Sequence, residues 1–565
     1  MGANKGRLLI GAIEVDSLAS EGAGIDALSV SSLSSDRSPR SAPGSGRFLA
    51  ASLLVLTACG QPPEPVGGSA TNGRGMLVIV VDALRFDHTS LGSYDRNTTP
   101  RLKELAEAQG VLFSNAWSVA PDLIPAHVSI LTGCDASVAR RPNVLLSDGT
   151  LLSPLTTWFI PEVVPRLARE FLAHGWRTAA FVDHAHISKR RGFEDGFREF
   201  VDVGGDRSDA TRDVGLPGVT RRFYQWVSRL GADEDWMAYI HWNDLEAMWS
   251  SPYTDDELRA DQNVTGYELR PELDYLPAVG GHAPVFHALP PSRAPNPRRT
   301  LAQYELRYDA AIRNRLDRNL DRLFDTLAMD GRWDRTSVLI VGSFGIGFGE
   351  SGLLVDSGTY SDVDLHVPVI LRPAPELNLP TGTVQSALVS SVDLMPTLLD
   401  MMDFDIPSGV HGHSLLPLVR GEQQRVRDWA YASHGPFAPP GRPDTQATSP
   451  RYGFAVIEED RIYSIQWPGC GGIGALSQSW FGDSNSHRRE TVEALKVFSD
   501  DPRPGNLNRG PVGEEGARLR ELGRTMHADL DRVREVLHPS DWNLEARGPD
   551  VLGELRKKGL IGDTP

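Results

Sequence analysis

The chain has 565 residues, 40% hydrophobic and 23% charged, with a formal net charge of −17. That length exceeds one ordinary domain and suits one large α/β domain with a smaller unit, and the composition is globular rather than disordered. The acidic balance argues against a nucleic-acid surface, and it is unfavourable for an anionic ester unless a local basic pocket offsets it.

Residues 1–59 read as an N-terminal extension and a signal peptide. Phe48 to Ala58 is an apolar run too short to span a bilayer but suited to the apolar core of a signal peptide. Leu56-Thr57-Ala58-Cys59 resembles a bacterial lipobox. The motif implies cleavage before Cys59, lipidation of that cysteine, and an exported, membrane-anchored protein of the cell envelope that faces the periplasm or the cell surface. A secretory signal cut nearby or a chance apolar run are the alternatives. Residues 60–75 read as a flexible tether.

Met76 to Val81 is a continuous apolar run that predicts a parallel strand buried on both faces and ending at Asp82. Helix follows over Arg101–Gln109, stopped by Gly110, then a short strand over Val111–Ala116. A helix over Val163–Ala173 and strands over Thr178–Val182 and Trp236–Trp242 come next. Residues 252–300 are Pro-rich, polar and without periodicity, and predict an irregular insertion. Leu301–Met329 has the spacing of one long amphipathic helix. Ser337–Val341 and Val367–Leu371 are further strands. Beyond 425 the pattern changes to a hairpin, Tyr452–Ile457 with Arg461–Gln466, and a helix over Glu514–Leu537. Alternating strands and helices predict a mixed or parallel sheet covered on both faces, with a site at the strands' carboxyl ends. The divisions expected are thus a main domain over 76–425, a C-terminal subdomain over 426–540 and a tail over 541–565. Cys134 and Cys470 could pair only if the fold brought them together, and the three cysteines lack zinc-type spacing.

Several motifs, in order, resemble the sulfatase family of the alkaline-phosphatase-like superfamily. They are Val78-Ile79-Val80-Val81-Asp82-Ala83-Leu84-Arg85, Asn97-Thr98-Thr99-Pro100, Pro125-Ala126-His127-Val128-Ser129-Ile130-Leu131-Thr132-Gly133, Gly192-Phe193-Glu194-Asp195-Gly196-Phe197, Tyr308-Asp309, Val392-Asp393-Leu394-Met395-Pro396 and His411-Gly412-His413. The resemblance implies a three-layer α/β sandwich with a mostly parallel central sheet and a small C-terminal α+β subdomain. It also implies a nucleophile two residues before Pro125, a hard cation held by oxygen ligands, and basic groups around the ester.

At those positions the chain departs from the family. The nucleophile position holds Leu123, which has no lone pair to attack with. The first metal carboxylate is retained as Asp82, with Ala83 beside it. The second ligand pair falls on Ser343 and Phe344, a weak ligand and none. Two basic positions fall on Glu246 and Asp356, which reverses their charge. Asp122 is a conceivable substitute nucleophile, and Asp82, Asp122, Glu246 and Asp356 a conceivable alternative metal set. His127 matches a histidine found in part of the family or is a structural hydrogen-bonding residue; His184 and His186 flank a strand end. The reading is an exported lipoprotein that has lost hydrolysis and acts as a binding or scaffold protein for an unknown protein or glycan partner. No cofactor is expected. The alternative is an active sulfuric-ester hydrolase, or phospho- or sulfo-ester transferase, with a rearranged centre; calcium or magnesium belongs to that alternative. If the register holds, Leu123, Ser343, Phe344, Glu246 and Asp356 surround one cleft near Asp82.

Overall fold

The computed structural model describes residues 73–139, 158–203, 215–243, 245, 305–348, 354–355, 360–433, 453–466, 492–499 and 512–537. The lipobox with Cys59, the 252–300 insertion, Glu246, Asp356 and Cys470 lie outside the described residues. Among the described residues no helix is long and apolar enough to cross a membrane.

The strands are β1 (Gly75–Val81), β2 (Val111–Phe113), β3 (Ala116–Trp117), β4 (Arg177–Val182), β5 (Glu199–Asp202), β6 (Trp236–Trp242), β7 (Thr336–Gly342) and β8 (Gly347–Phe348). They continue with β9 (Leu354–Val355), β10 (Val369–Arg372), β11 (Thr383–Gln385), β12 (Val389–Ser390), β13 (Ala430–Ser433), β14 (Gly453–Ile457), β15 (Arg461–Gln466) and β16 (Val492–Val497). Eight of them form the main sheet in the order β11-β2-β10-β7-β1-β6-β4-β5. All run parallel except β10, which is antiparallel to both β7 and β2. The central strands β1, β6 and β7 are buried at every residue. This is why their sequences are unbroken apolar runs rather than alternating ones. Each fully buried Val, Leu or Ile contributes about 1.5–3 kcal/mol relative to exposure.

Two helical layers cover this sheet, as its two apolar faces demand. Helices α1 (Pro100–Gln109) and α4 (Gly215–Val227) meet the Arg318–Met329 helix on one side; α2 (Leu123–Thr132) and α3 (Leu167–Ala173) meet the Leu394–Met401 helix on the other. The expected helix over Val163–Ala173 is shorter than read. Arg166 is extended (φ −135°, ψ 126°) and the helix starts at Leu167, in keeping with Pro165 just before it. The long helix predicted over Leu301–Met329 is described from Glu305. Its middle, Ile312–Asp317, is π-helical. The π segment includes Asp317, whose carboxylate accepts the backbone N–H groups of Arg101 (3.0 Å) and Leu102 (3.1 Å). A neighbouring helix thus caps the otherwise unsatisfied first turn of α1.

The C-terminal region is an antiparallel sheet ordered β13-β14-β15-β16. The predicted hairpin forms, with Ile457 opposite Ile462 and Gly453 opposite Gln466. Alternation divides its side chains. Phe454, Tyr463 and Ile465 pack with Leu519 and Leu530 of the Gly513–Leu537 helix, while Ala455, Ile457 and Ile462 pack with Trp117, Tyr360 and Leu365.

Candidate functional site

The carboxyl ends of β7, β1 and β6, at the centre of the sheet, carry the candidate site. Asp82 follows the last residue of β1. Its N–H bonds the Trp242 carbonyl (3.0 Å), and Ser343 N–H bonds the Val81 carbonyl (2.9 Å), so the three strand ends are held in register. The Ser118 hydroxyl further fixes Ser343 by bonding its carbonyl at 2.6 Å.

Asp82, His127, His241 and Ser343 are all fully buried. Asp82 Oδ1 accepts from His127 Nε2 (2.8 Å) and Ser343 Oγ (2.5 Å), and Oδ2 accepts from His241 Nε2 (2.6 Å). The far ring nitrogens are engaged as well. His127 Nδ1 meets the Tyr239 hydroxyl, and His241 Nδ1 faces the Asp183 N–H at 3.4 Å. Burial, with Asp82 as the next cause, holds the Tyr239 phenol well above its ordinary range, so it remains a donor. Burial also lowers the His127 imidazole, against the pull of Asp82. For Asp82, burial pushes the carboxyl up. The attraction of His241 and His127 and their hydrogen bonds outweigh this and hold it far below the usual carboxylate range. A carboxylate only accepts, so Asp82 receives hydrogen bonds from both Nε2 atoms and from one hydroxyl.

The sequence reading placed Asp82 and Ser343 together, and they touch. Leu123 is the first residue of α2, the helix that also carries His127, and is only 5% exposed. Phe344 is buried in the same apolar core. Asp122, the conceivable substitute nucleophile, is the N-cap of α2 and its carboxylate accepts the Leu123 N–H at 2.7 Å. The alternative carboxylate metal set cannot be assembled from the described residues, because Glu246 and Asp356 fall outside them. The groups that do join Asp82 are two histidines. His241 was not singled out from sequence; the available signal was a lone polar residue inside a run that is otherwise a buried strand. His184 and His186 are 4.8 Å apart by ring centroids, and the His186 N–H donates to His184 Nδ1 at 3.1 Å.

Backbone features around the cluster hold it in place. Ala83 has φ 58°, a left-handed conformation in which a non-glycine residue is strained. Its carbonyl accepts from Tyr308 Oη (2.5 Å), which itself accepts the Arg85 N–H (2.9 Å). The fully buried Arg85 guanidinium is committed to Asp87 (2.9 Å) and the Ile346 carbonyl (3.0 Å) and lies over the Phe348 ring. At Gly345 an added Cβ would lie 1.9 Å from the Val363 carbonyl oxygen, so this glycine answers a close approach of backbone. Gly133 ends α2 at φ 65°, where glycine alone is unstrained. The better-preserved motif residues are structural. Asp309 accepts from His88 (2.9 Å) and Tyr94 (2.7 Å), and Asp393 holds the N–H groups of Ser390 and His413, both at 2.8 Å.

Nucleophilic catalysis by Ser343 would require a histidine between hydroxyl and carboxylate. Here the carboxylate is at the centre, and hydroxyl and imidazoles each bond to it separately. Asp82, His127 and His241 do offer three ligand-type atoms within 4.8 Å of one another. A hard cation, however, takes six or more oxygens, and the described cluster supplies one carboxylate and one hydroxyl. Among the described residues, the set does not fit calcium or magnesium.

This architecture, a mostly parallel sheet between helical layers with its polar centre at the strands' carboxyl ends, is that of the alkaline-phosphatase-like α/β proteins. The sulfatase family model matches residues 74–404, and the chain belongs to that family. The Delta 4,5-hexuronate-2-O-sulfatase of Bacteroides thetaiotaomicron is 24% identical over 513 residues, covering 83% of this chain and 99% of that protein. The N-acetylglucosamine-6-O-sulfatase of the same organism is 30% identical over 119 residues, and the multifunctional alkaline phosphatase superfamily protein PehA of Trinickia caryophylli 29% over 122. Those two matches span only 21% and 23% of the relatives' lengths. Among solved structures, the phosphonate monoester hydrolase of Agrobacterium radiobacter superposes with a TM-score of 0.57 at 16% identity, covering 82% of this chain and 96% of that one. A 2-O GAG sulfatase gives 0.55 at 17% identity, covering 82% and 93%. At such identities the superpositions speak for the fold.

Proposed function

We infer that this sulfatase-family protein does not hydrolyse sulfuric esters and acts as a binding or scaffold protein of the cell envelope, lipid-anchored through Cys59. The observation that carries the reading is Leu123. The nucleophile's position at the start of α2 is filled by a buried side chain without a nucleophilic atom. The cluster at Asp82 supports it, since its polar groups are consumed by one another and no cation is required to satisfy them. The family's relatives include enzymes named for sulfated N-acetylglucosamine and hexuronate. A glycan is therefore a reasonable ligand class beside a protein partner, although the net charge of −17 disfavours a strongly anionic one.

The soluble part, purified and assayed with aryl sulfate and phosphate esters, is expected to show no turnover. Turnover abolished by Asp82→Ala, with metal near one per chain, would establish the alternative of a rearranged active centre. The full-length relationship to a named sulfatase is what favours that second reading. Anchoring is tested separately. Mass spectrometry of the membrane fraction should find a lipid-modified Cys59 as the N-terminus, and Cys59→Ser should release the protein from membranes.

A further inference from the structure

We propose that His127 and His241 take the place of the family's divalent cation, acting as internal hydrogen-bond donors to the Asp82 carboxylate at the centre of the sheet. The inference deepens the non-hydrolytic reading. It rests on an account of lone pairs and protons. Asp82 Oδ1 already receives His127 Nε2 and Ser343 Oγ, and Oδ2 receives His241 Nε2. Ligation of a metal by a histidine's Nε2 needs an acceptor behind the ring to take the Nδ1 proton. Behind His241 the Asp183 N–H is a donor aimed at Nδ1. Behind His127 the Tyr239 hydroxyl meets Nδ1. Both Nε2 atoms lie against carboxylate oxygens, which only accept, so each ring directs its proton at Asp82.

The four side chains come from the ends of β1, β6 and β7 and from α2. A cation in such a place would draw three strand ends and a helix onto one point. The two imidazoles and the serine do so with covalently attached donors. The site is then satisfied without an ion, and both imidazoles turn an N–H, not a lone pair, toward the point a cation would share.

The test uses the purified chain without added metal or chelator. Elemental analysis should find well under one divalent ion per chain. Millimolar calcium, magnesium or zinc should leave the melting temperature unchanged. Nitrogen-15 NMR of the ring nitrogens should report the Nε2–H tautomer for both histidines. Metal near one per chain, or an unprotonated Nε2 on either ring, overturns the proposal. A pair of substitutions separates donor from ligand. His241→Ala should lower the melting temperature by roughly 5 °C, and His241→Gln, which offers an amide N–H near the same place, should restore most of it. If the Gln variant is as unstable as the Ala variant, the donor role is wrong. Should the Ala variant not fold, the tautomer measurement on the native chain still decides. Ester turnover by a metal-free chain would overturn the non-hydrolytic reading and leave this proposal standing. Bound metal without turnover would do the reverse.

Discussion

Ser343 and His127 donate to the same oxygen of Asp82, at 2.5 and 2.8 Å, while His241 takes the other oxygen. Removing the shared acceptor strands three buried donors at once. Asp82→Ala is therefore expected to cost about 3–5 kcal/mol of stability, a loss of the size seen when one partner of a buried polar network is deleted. Urea denaturation of the two proteins would measure it, and a difference below about 1 kcal/mol would mean the network is not formed.

Leu123 is part of the apolar core. Leu123→Ala should destabilise by roughly 2–4 kcal/mol through lost contacts and a cavity. Leu123→Ser and Leu123→Cys restore a nucleophilic atom at the family's position but not the ligands of a hard cation. Neither is expected to hydrolyse an aryl sulfate above the background of the parent chain. Recovered turnover from that single change would show the rest of the centre to be competent.

Ala83 carries a left-handed backbone next to Asp82. Glycine adopts that conformation without a Cβ penalty, so Ala83→Gly should stabilise the protein by about 0.5–1 kcal/mol in spite of glycine's greater freedom when unfolded. The expected readout is a higher urea midpoint with an unchanged slope.

Asp317 supplies the pH dependence most open to test. Burial pushes its carboxyl up to about 6, against the lowering effect of the Arg101 and Leu102 N–H groups. In the unfolded chain it titrates near 4. Between these values the folded state holds the proton that the unfolded state has released, so this residue's contribution makes stability rise as pH falls from about 6 to about 4. The whole effect is at most ~3 kcal/mol. Asp82 has the opposite sign: its folded value is depressed, so its contribution is lost as pH drops below the ordinary carboxylate range. Melting curves of Asp317→Asn against the parent should differ in slope across pH 4–6 and run parallel above it.

Cys134 is buried and unpaired, and burial pushes its thiol up to about 12. Thiol reagents should leave it unmodified in the native protein and label it after denaturation. Rapid native labelling at this residue would contradict the packing around Gly133.

The central strands were legible because burial on both faces writes itself into an unbroken apolar run, as in Met76–Val81 and Trp236–Trp242. The direction of β10 was not, since an apolar run is the same read either way and direction follows from how the chain returns. The π-helical segment at Ile312–Asp317 shifts a helix without interrupting its amphipathic spacing, and the pattern predicted one helix across it. The departures from the family motifs at Leu123 and Ser343 were visible because neighbouring motif residues kept their spacing. His241 was missed for the reason that β6 was found: within a run read as core, one histidine looked like a strand residue. Its partner Asp82 lies far away in sequence, and only the parallel register that sets Val80 against His241 brings them together.

That register also governs how the molecule assembles. Strand β1 opens the main sheet in sequence yet lies at its middle, and its two neighbours are β6 and β7, with Gly75 beside both Trp236 and Thr336. The most apolar segment of the early chain must stay unpaired until most of the main sheet's other strands have been made, and closing so long a loop is slow. During that interval β1 is an aggregation hazard. A chaperone that recognises extended apolar segments should bind nascent chains carrying Met76–Val81 and release them only once β7 is available.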